Sequence, residues 1–228
     1  MSEDAVTQPA PATPGFRMVR TLGAIAMLSG LLVVLVYQWT APIIAENQRI
    51  AIEKAVFEVV PGASRRVDLV LGEQGLFRAD DPAAQGETVY AAFDEQGSLK
   101  GVALTAGAQG YQDVIRLIYG YDPDCNCIRG IKILKMTETP GLGDRIATDP
   151  EFQANFDQLD ARLDSTGKVL ANPIATVKSG SKRNPWEIDA ISGATISSVA
   201  VGKALNASMQ RMAPLVQKQL AEIKGAGK

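Results

Sequence analysis

Seven residues in the last quarter of the chain, Asp189-Ala190-Ile191-Ser192-Gly193-Ala194-Thr195, combine hydroxyl groups with a turn and a predicted helix start. Gly193 permits a tight backbone turn, and Thr195 falls where a long amphipathic segment begins. Free backbone N–H groups and the positive end of the helix dipole gather at such a position and hold a phosphate well. The Thr195 hydroxyl could also be joined to a phosphate. The plainer interpretation makes Ser192 or Thr195 an N-cap.

A second segment, Glu138-Thr139-Pro140-Gly141-Leu142-Gly143, follows a predicted strand. One proline and two glycines make a stiff loop that other groups can approach closely. Its backbone N–H groups could meet a planar ring or the carbonyls of such a ring. The alternative is an ordinary surface turn.

The composition excludes several kinds of chemistry. The chain has no histidine, which rules out Ser-His-Asp and Cys-His catalysis, histidine zinc sites and a histidine general base. Two cysteines cannot form a Cys₄ zinc or iron–sulfur site within one chain. The net charge is −2. The sequence has no basic patch with interleaved aromatic residues, so nucleic-acid binding is not indicated. Redox chemistry in this chain would therefore rely on an organic cofactor.

The two cysteines stand in the sequence Cys125-Asn126-Cys127. A disulfide across a single residue would be strained, although an oxidising compartment would permit it. Free thiols, a regulatory pair, or a metal site shared with a partner chain are the alternatives.

An uncharged segment of about 25 residues, 21–45, is long enough to cross a bilayer as a helix. Tyr37 and Trp39 lie near one end, as in an aromatic belt, and Arg17 and Arg20 near the other favour a cytoplasmic N-terminus. The run exceeds the apolar region of a signal peptide. We predict a disordered cytoplasmic tail over 1–17, a transmembrane helix over 18–45, and a helical stalk and linker over 46–86.

The remaining residues predict a single α+β domain, an antiparallel sheet plus helices, over 87–228. Alternating apolar residues predict strands at 88–93, 99–105, 113–119, 128–136 and 174–177. Asp149 and Pro150 predict the start of a helix with Phe152, Phe156 and Leu159 on one face. A long amphipathic helix is predicted over about 196–223.

With the apolar anchor, these two motifs resemble a known family of FMN-binding domains. The family includes the G subunit of the Rnf electron-transport complex and the C subunit of the sodium-translocating NADH:quinone reductase. The resemblance extends from about Val19 to the end of the chain. In this family a flavin transferase takes FMN from FAD and joins its phosphate to the last threonine of DxxSGAT, here Thr195. The resemblance implies a recognition motif of Asp189, Ser192, Gly193 and Ala194. It also implies a loop at the flavin made by Glu138, Thr139, Pro140, Gly141, Leu142 and Gly143.

The resemblance implies an electron-transfer subunit of a membrane ion-translocating ferredoxin:NAD oxidoreductase, with FMN bound covalently to Thr195. It implies other membrane, iron–sulfur and flavin subunits as partners, with no complete reaction from the isolated chain. It also implies the flavin transferase and membrane lipid as partners. The location implied is a bacterial inner membrane, with the C-terminal domain periplasmic.

Lys178, Lys182 or Arg183 could pair with the FMN phosphate, or simply form a solvated basic loop. The modest length favours the G subunit of Rnf. The alternatives are a component like the reductase's C subunit and a membrane-tethered flavin- or ligand-binding sensor.

Overall fold

The computed structural model describes residues 15–79, 81 and 84–227. Two compact units are present, one up to Arg49 and one from Ile50 onward. The first is entirely helical where it is described, because helix α1 spans Gly15–Val59. The predicted span 18–45 lies inside this helix, whose most apolar 18-residue window has a mean hydropathy of 2.2 and no buried residue. By length and composition, α1 is therefore suited to cross a membrane. Of the tail predicted over 1–17, residues 15–17 already belong to α1, and the others lie outside the described residues.

The second unit is built on a seven-stranded antiparallel sheet, in the order β2-β1-β3-β4-β5-β6-β7. Its strands are β1 Arg65–Gly72, β2 Gly75–Arg78, β3 Glu87–Phe93, β4 Leu99–Gln109, β5 Val114–Asp122, β6 Cys127–Lys135 and β7 Leu159–Asp160. A separate parallel pair consists of β8 Ala175–Val177 and β9 Glu187–Asp189. The helices are a 3₁₀ turn at Gly143–Ala147, α2 Pro150–Ala154, α3 Thr195–Lys218 and α4 Leu220–Gly225. The α+β prediction is confirmed.

Two stretches differ from the sequence prediction. The range 46–86 was predicted as helical stalk and linker, but β1 and β2 lie within it and pair into the sheet. Strand β1 has the usual alternation, with Val67, Leu69 and Leu71 on one face. Helix α2 ends at Ala154, so Phe156 and Leu159 were wrongly placed on its face. Phe156 lies in the turn that follows and Leu159 begins β7, and both are buried. Asp149 does cap α2, accepting the N–H groups of Glu151 and Phe152.

The sheet buries residues on both faces because successive strand residues point in opposite directions. On one face, α3 covers the sheet with Val201, Leu205 and Met209, all fully buried. On the other, the end of α1 places Val56 and Val59 against the sheet. These apolar contacts orient α3, and the first residue of α3 is Thr195.

Glycines let the end of α1 lie directly on the sheet. A Cβ atom on Gly120 would stand 1.9 Å from the carbonyl oxygen of Val59. A Cβ on Gly101 would lie 3.1 Å from Cγ1 of Val60, whereas one on Gly130 would lie at an ordinary 3.5 Å from the Cα of Val59. We call Gly101 and Gly120 with the backbone above them the helix seat.

Candidate functional site

The start of α3 presents a free hydroxyl on an uncapped helix end. The N-cap residue is Ala194, and no side chain in the described chain caps the helix from that position. The first intrahelical bond found here is from Ser198 N–H to the Ala194 carbonyl, at 3.0 Å. The N–H groups of Thr195, Ile196 and Ser197 precede it and are not used by the helix. Thr195 is exposed at the first helical position. Because Ala194 is the N-cap, the N-cap interpretation is wrong for both Ser192 and Thr195.

The turn before the helix is held from within. The Oγ of Ser198 accepts the Ile191 N–H at 3.1 Å and donates to the Ala194 carbonyl at 3.0 Å. Gly193 has a φ of +84°, a backbone conformation that favours glycine. Ser192 and Gly193 are exposed, while Ala194 is buried. The segment is therefore a rigid turn with its hydroxyl-bearing residues outward.

The Glu138–Gly143 loop lies beside this turn. The Leu142 N–H donates to the Thr139 carbonyl at 3.2 Å, and Gly141 adopts a φ of +76°. The side chain of Leu142 is 51% exposed, and its Cδ2 lies 3.7 Å from where a Cβ on Gly193 would stand. A Cβ on Gly141 would meet nothing within 4 Å. The structure thus brings the two sequence motifs together, with open space above Gly141.

Glu138 itself lies beneath the loop, with only 7% of its surface exposed. Its carboxylate accepts the backbone N–H groups of Tyr111 and Gln112 at 3.1 and 3.2 Å, and the hydroxyl of Ser197. Burial raises the pKa of Glu138, but the Ser197 hydroxyl and these N–H groups outweigh it and leave the pKa below its ordinary value. The carboxylate is therefore ionised at neutral pH.

Two glycines make room for this carboxylate. A Cβ on Gly110 would stand 2.5 Å from Glu138 Oε1, and one on Gly143 would stand 2.7 Å from Ser197 Oγ and 2.8 Å from Glu138 Oε2. We call Glu138, Ser197, Gly110 and Gly143, with the 111–112 backbone, the carboxylate pocket. It joins the β4–β5 turn, the Glu138–Gly143 loop and the first turn of α3.

Asp189 ends β9 and shapes the neighbouring loop. Its carboxylate accepts the N–H groups of Gly180 and Ser181 at 2.8 and 3.2 Å. Lys178 is exposed directly after β8, whose Val177 carbonyl accepts the Ala190 N–H. Lys182 instead donates to the side chain of Asn155 at 3.0 Å.

Sequence reasoning missed Asn155 and Ser197. Asn155 is 5% exposed and bonds both the N–H and the carbonyl of Asp189, at 3.0 and 3.3 Å. Ser197 bonds a residue 59 positions away. A buried polar side chain gives no periodic signal of its own, so neither partner could be read from spacing.

The cysteines form a Cys125–Cys127 disulfide. It lies in the β5–β6 turn, which the C-terminal part of α3 contacts: Gln217 Nε2 donates to the Asn126 side chain at 2.7 Å. Thr195 lies at the other end of that 24-residue helix, about 33 Å from Gln217 along the helix axis at 1.5 Å per residue. Within the described residues, no group of three or more metal-ligating side chains is present.

Comparison with known proteins gives two family matches and a similar fold. Residues 110–210 match the FMN-binding domain family, and residues 16–59 match the RnfG N-terminal region. The fold is similar to NqrC of Shewanella oneidensis, with a TM-score of 0.58 at 20% identity over 79% of this chain and 99% of that one. The C subunit of a Na⁺-translocating NADH-quinone reductase from Parabacteroides distasonis gives 0.57, also at 20% identity, over 75% and 94%. The family matches thus give the chain an FMN-binding domain preceded by an apolar N-terminal helix.

Relatives that are similar in sequence identify the family more precisely than the structural neighbours do. The G subunit of an ion-translocating oxidoreductase complex from Methanosarcina acetivorans is 31% identical over 85% of this chain and 92% of its own length. The G subunit of a Na⁺-translocating ferredoxin:NAD⁺ oxidoreductase complex from Acetobacterium woodii is 30% identical over 72% and 70%. The chain belongs to the family of Rnf complex G subunits, as the resemblance predicted.

Proposed function

We propose that this chain is an electron-transfer subunit of an Rnf-type ferredoxin:NAD oxidoreductase and carries FMN as a phosphoester on Thr195. The observation that carries the proposal is the exposed hydroxyl at the first position of an uncapped helix, inside the matched FMN-binding domain. Attachment would break the pyrophosphate bond of FAD and form a bond from phosphorus to Thr195 Oγ1. AMP leaves, and the hydroxyl proton is released.

The residues present fit an FMN phosphate. The N–H groups of Ile196 and Ser197 are not used within α3 and lie at its positive end, where a phosphate is stabilised. Gly141 and Gly193 leave space on the exposed side of the loop, and Leu142 offers an apolar surface beside them. Once bound, the flavin supplies reversible electron transfer; the chain binds, orients and retains it.

We assign recognition by a flavin transferase to the Asp189–Thr195 segment. Ser192, Gly193 and Thr195 are exposed and so accessible to a second protein. Asp189 acts on the 178–181 turn through its hydrogen bonds, and this places Lys178 near the start of the motif. Lys178 is proposed to attract the phosphate electrostatically.

We also assign α1 to the membrane, with a cytoplasmic N-terminus and the domain from Ile50 onward in the periplasm. Arg17 and Arg20 at the N-terminal end of the apolar segment support this orientation. Membrane subunits and iron–sulfur or flavin subunits of the complex would be the electron-transfer partners.

The test is the intact mass of the full-length chain, co-expressed with the flavin transferase and denatured before measurement. The wild type should carry one FMN-sized adduct, and Thr195→Ala should carry none. Thr88→Ala, which removes another exposed threonine from β3, should carry the full adduct. Covalent flavin retained in Thr195→Ala would refute the proposed attachment. Flavin released from the wild type on denaturation would favour the non-covalent sensor.

A further inference from the structure

Glu138 belongs to the loop that the sequence associates with the flavin, but its carboxylate is directed into the protein. Both oxygens accept hydrogen bonds from protein groups, and 7% of the residue is exposed. A carboxylate this enclosed has little surface left for a ligand. Its contribution must come through the groups that it binds.

Those groups belong to separate parts of the fold. Tyr111 and Gln112 form the turn between β4 and β5, which the Gly110 N–H closes by donating to the Asp113 carbonyl at 2.9 Å. Ser197 lies in the first turn of α3, two residues after Thr195. A single side chain therefore fixes both the turn and the helix start relative to the loop.

The start of α3 needs such a support. Among the residues described, no N-cap side chain holds its first turn, and an uncapped end frays readily. An ionised carboxylate near a helix N-terminus is stabilised by the helix dipole, and a hydrogen bond to a charged acceptor is stronger than a neutral one. Glu138 thus stabilises the helix end from a loop distant in sequence, and the helix itself leaves the N–H groups of its first turn unused.

We propose that Glu138 is a positioning residue for flavin attachment: through Ser197 it holds the first turn of α3 so that the Thr195 hydroxyl is presented to the incoming phosphate. The inference rests on the proposed function. It assigns Glu138 a role distinct from those of Thr195, which forms the bond, and of the Asp189–Ala194 segment, which is recognised.

The first test uses the flavin transferase, FAD and purified full-length chain as the acceptor substrate. In Glu138→Gln the side chain keeps its shape and loses its charge. We expect kcat for attachment to fall about tenfold, the loss of one charge-assisted hydrogen bond. KM for the chain should stay within about twofold, because the recognition residues are unchanged. Ser197→Ala should give the same pattern, and the double variant should be no worse than either single variant.

A matched control removes a similar carboxylate at the other end of β4. Asp94 accepts the backbone N–H groups of Gln96 and Ser98 at 3.0 and 2.8 Å. Asp94→Asn should leave both kcat and KM unchanged. A wild-type rate in Glu138→Gln, or additive losses in the double variant, would overturn the positioning role. A wild-type chain that accepts no flavin would instead overturn the proposed function.

Hydrogen exchange of the flavin-free chain tests the same inference without the cofactor. Glu138→Gln should speed amide exchange about tenfold in 198–201 and in 111–112. Ser197→Ala should speed it only in 198–201, because Glu138 still holds the turn. Unchanged exchange at 198–201 in both variants would show that Glu138 does not stabilise the helix start.

Discussion

The helix seat and the carboxylate pocket both use glycine to let two parts of the chain approach closely. The seat admits a helix backbone, whereas the pocket admits polar and charged side chains. At the seat, Gly120 admits a backbone carbonyl of α1 among apolar side chains. In the pocket, Gly110 and Gly143 admit an ionised carboxylate and a serine hydroxyl. The seat stabilises the fold through packing, whereas the pocket supports a local geometry. A substitution in the seat should lower the stability of the fold. A substitution in the pocket should lower flavin attachment before it lowers stability.

The largest effect on stability is expected at the seat. Gly120→Ala would place a methyl group 1.9 Å from the Val59 carbonyl oxygen, so α1 or the sheet must move. We expect the free energy of unfolding to fall by about 3 kcal/mol, at the upper end of typical overpacking costs. Chemical denaturation of the full chain in detergent would measure it.

Gly130→Ala is the matched control, since its methyl group would stand 3.5 Å from the Val59 Cα in ordinary contact. Its unfolding free energy should change by less than about 1 kcal/mol. Equal losses in the two variants would mean that close approach is not what the seat requires.

In the pocket, Gly143→Ala would press a methyl group against Ser197 Oγ and both Oε2 and Cβ of Glu138. We expect a smaller loss of stability, about 2 kcal/mol, because loop residues can shift. Flavin attachment should be nearly abolished at temperatures where the chain is still folded. Intact mass and a thermal melt of the same sample would separate the two effects.

Gly141→Ala provides the contrast within the same loop. A Cβ there meets nothing, and the cost comes only from the φ of +76°, about 1 kcal/mol. Attachment should persist at a reduced level. If Gly141→Ala and Gly143→Ala lose attachment equally, space around Glu138 is not the deciding factor.

Acidification should weaken the pocket before the seat. The folded-state pKa of Glu138 lies below its ordinary value of 4.5, so the ionised carboxylate stabilises the fold above that value. This contribution is lost as the pH falls through the folded-state pKa. The Tm difference between wild type and Glu138→Gln should therefore be largest near neutral pH and shrink below about pH 4.5. A Tm difference that stays constant from pH 7 to pH 3 would contradict a stabilising role for the ionised Glu138 carboxylate.

The smallest effect on stability is expected at Thr195. Its side chain is exposed and caps nothing within the described chain, so Thr195→Ala should change the unfolding free energy by less than about 0.5 kcal/mol. The same change should remove all covalent flavin. A large loss of stability would show that the hydroxyl has a structural role.

The sequence predicted the features that depend on local patterns. Alternation and turn residues placed β3 to β6 and β8, and the Asp149-Pro150 pair placed the start of α2. Strand β1 was missed although its alternation was present, because the residues after the apolar helix were taken for a linker. The two motifs were identified, but not the reason for their proximity. Glu138 meets partners 26, 27 and 59 positions away, and only the fold brings these together.

The redox state of the two cysteines in the β5–β6 turn reports the compartment in which the protein folded. The chain contains two cysteines, and both are used in this bond. Thiols in the cytoplasm stay reduced, whereas a periplasmic turn is oxidised. If thiols are blocked at cell lysis, a chain that resists alkylation until reductant is added must have had this turn outside the cytoplasm. Its own sulfur atoms can thus report membrane sidedness without a fused reporter.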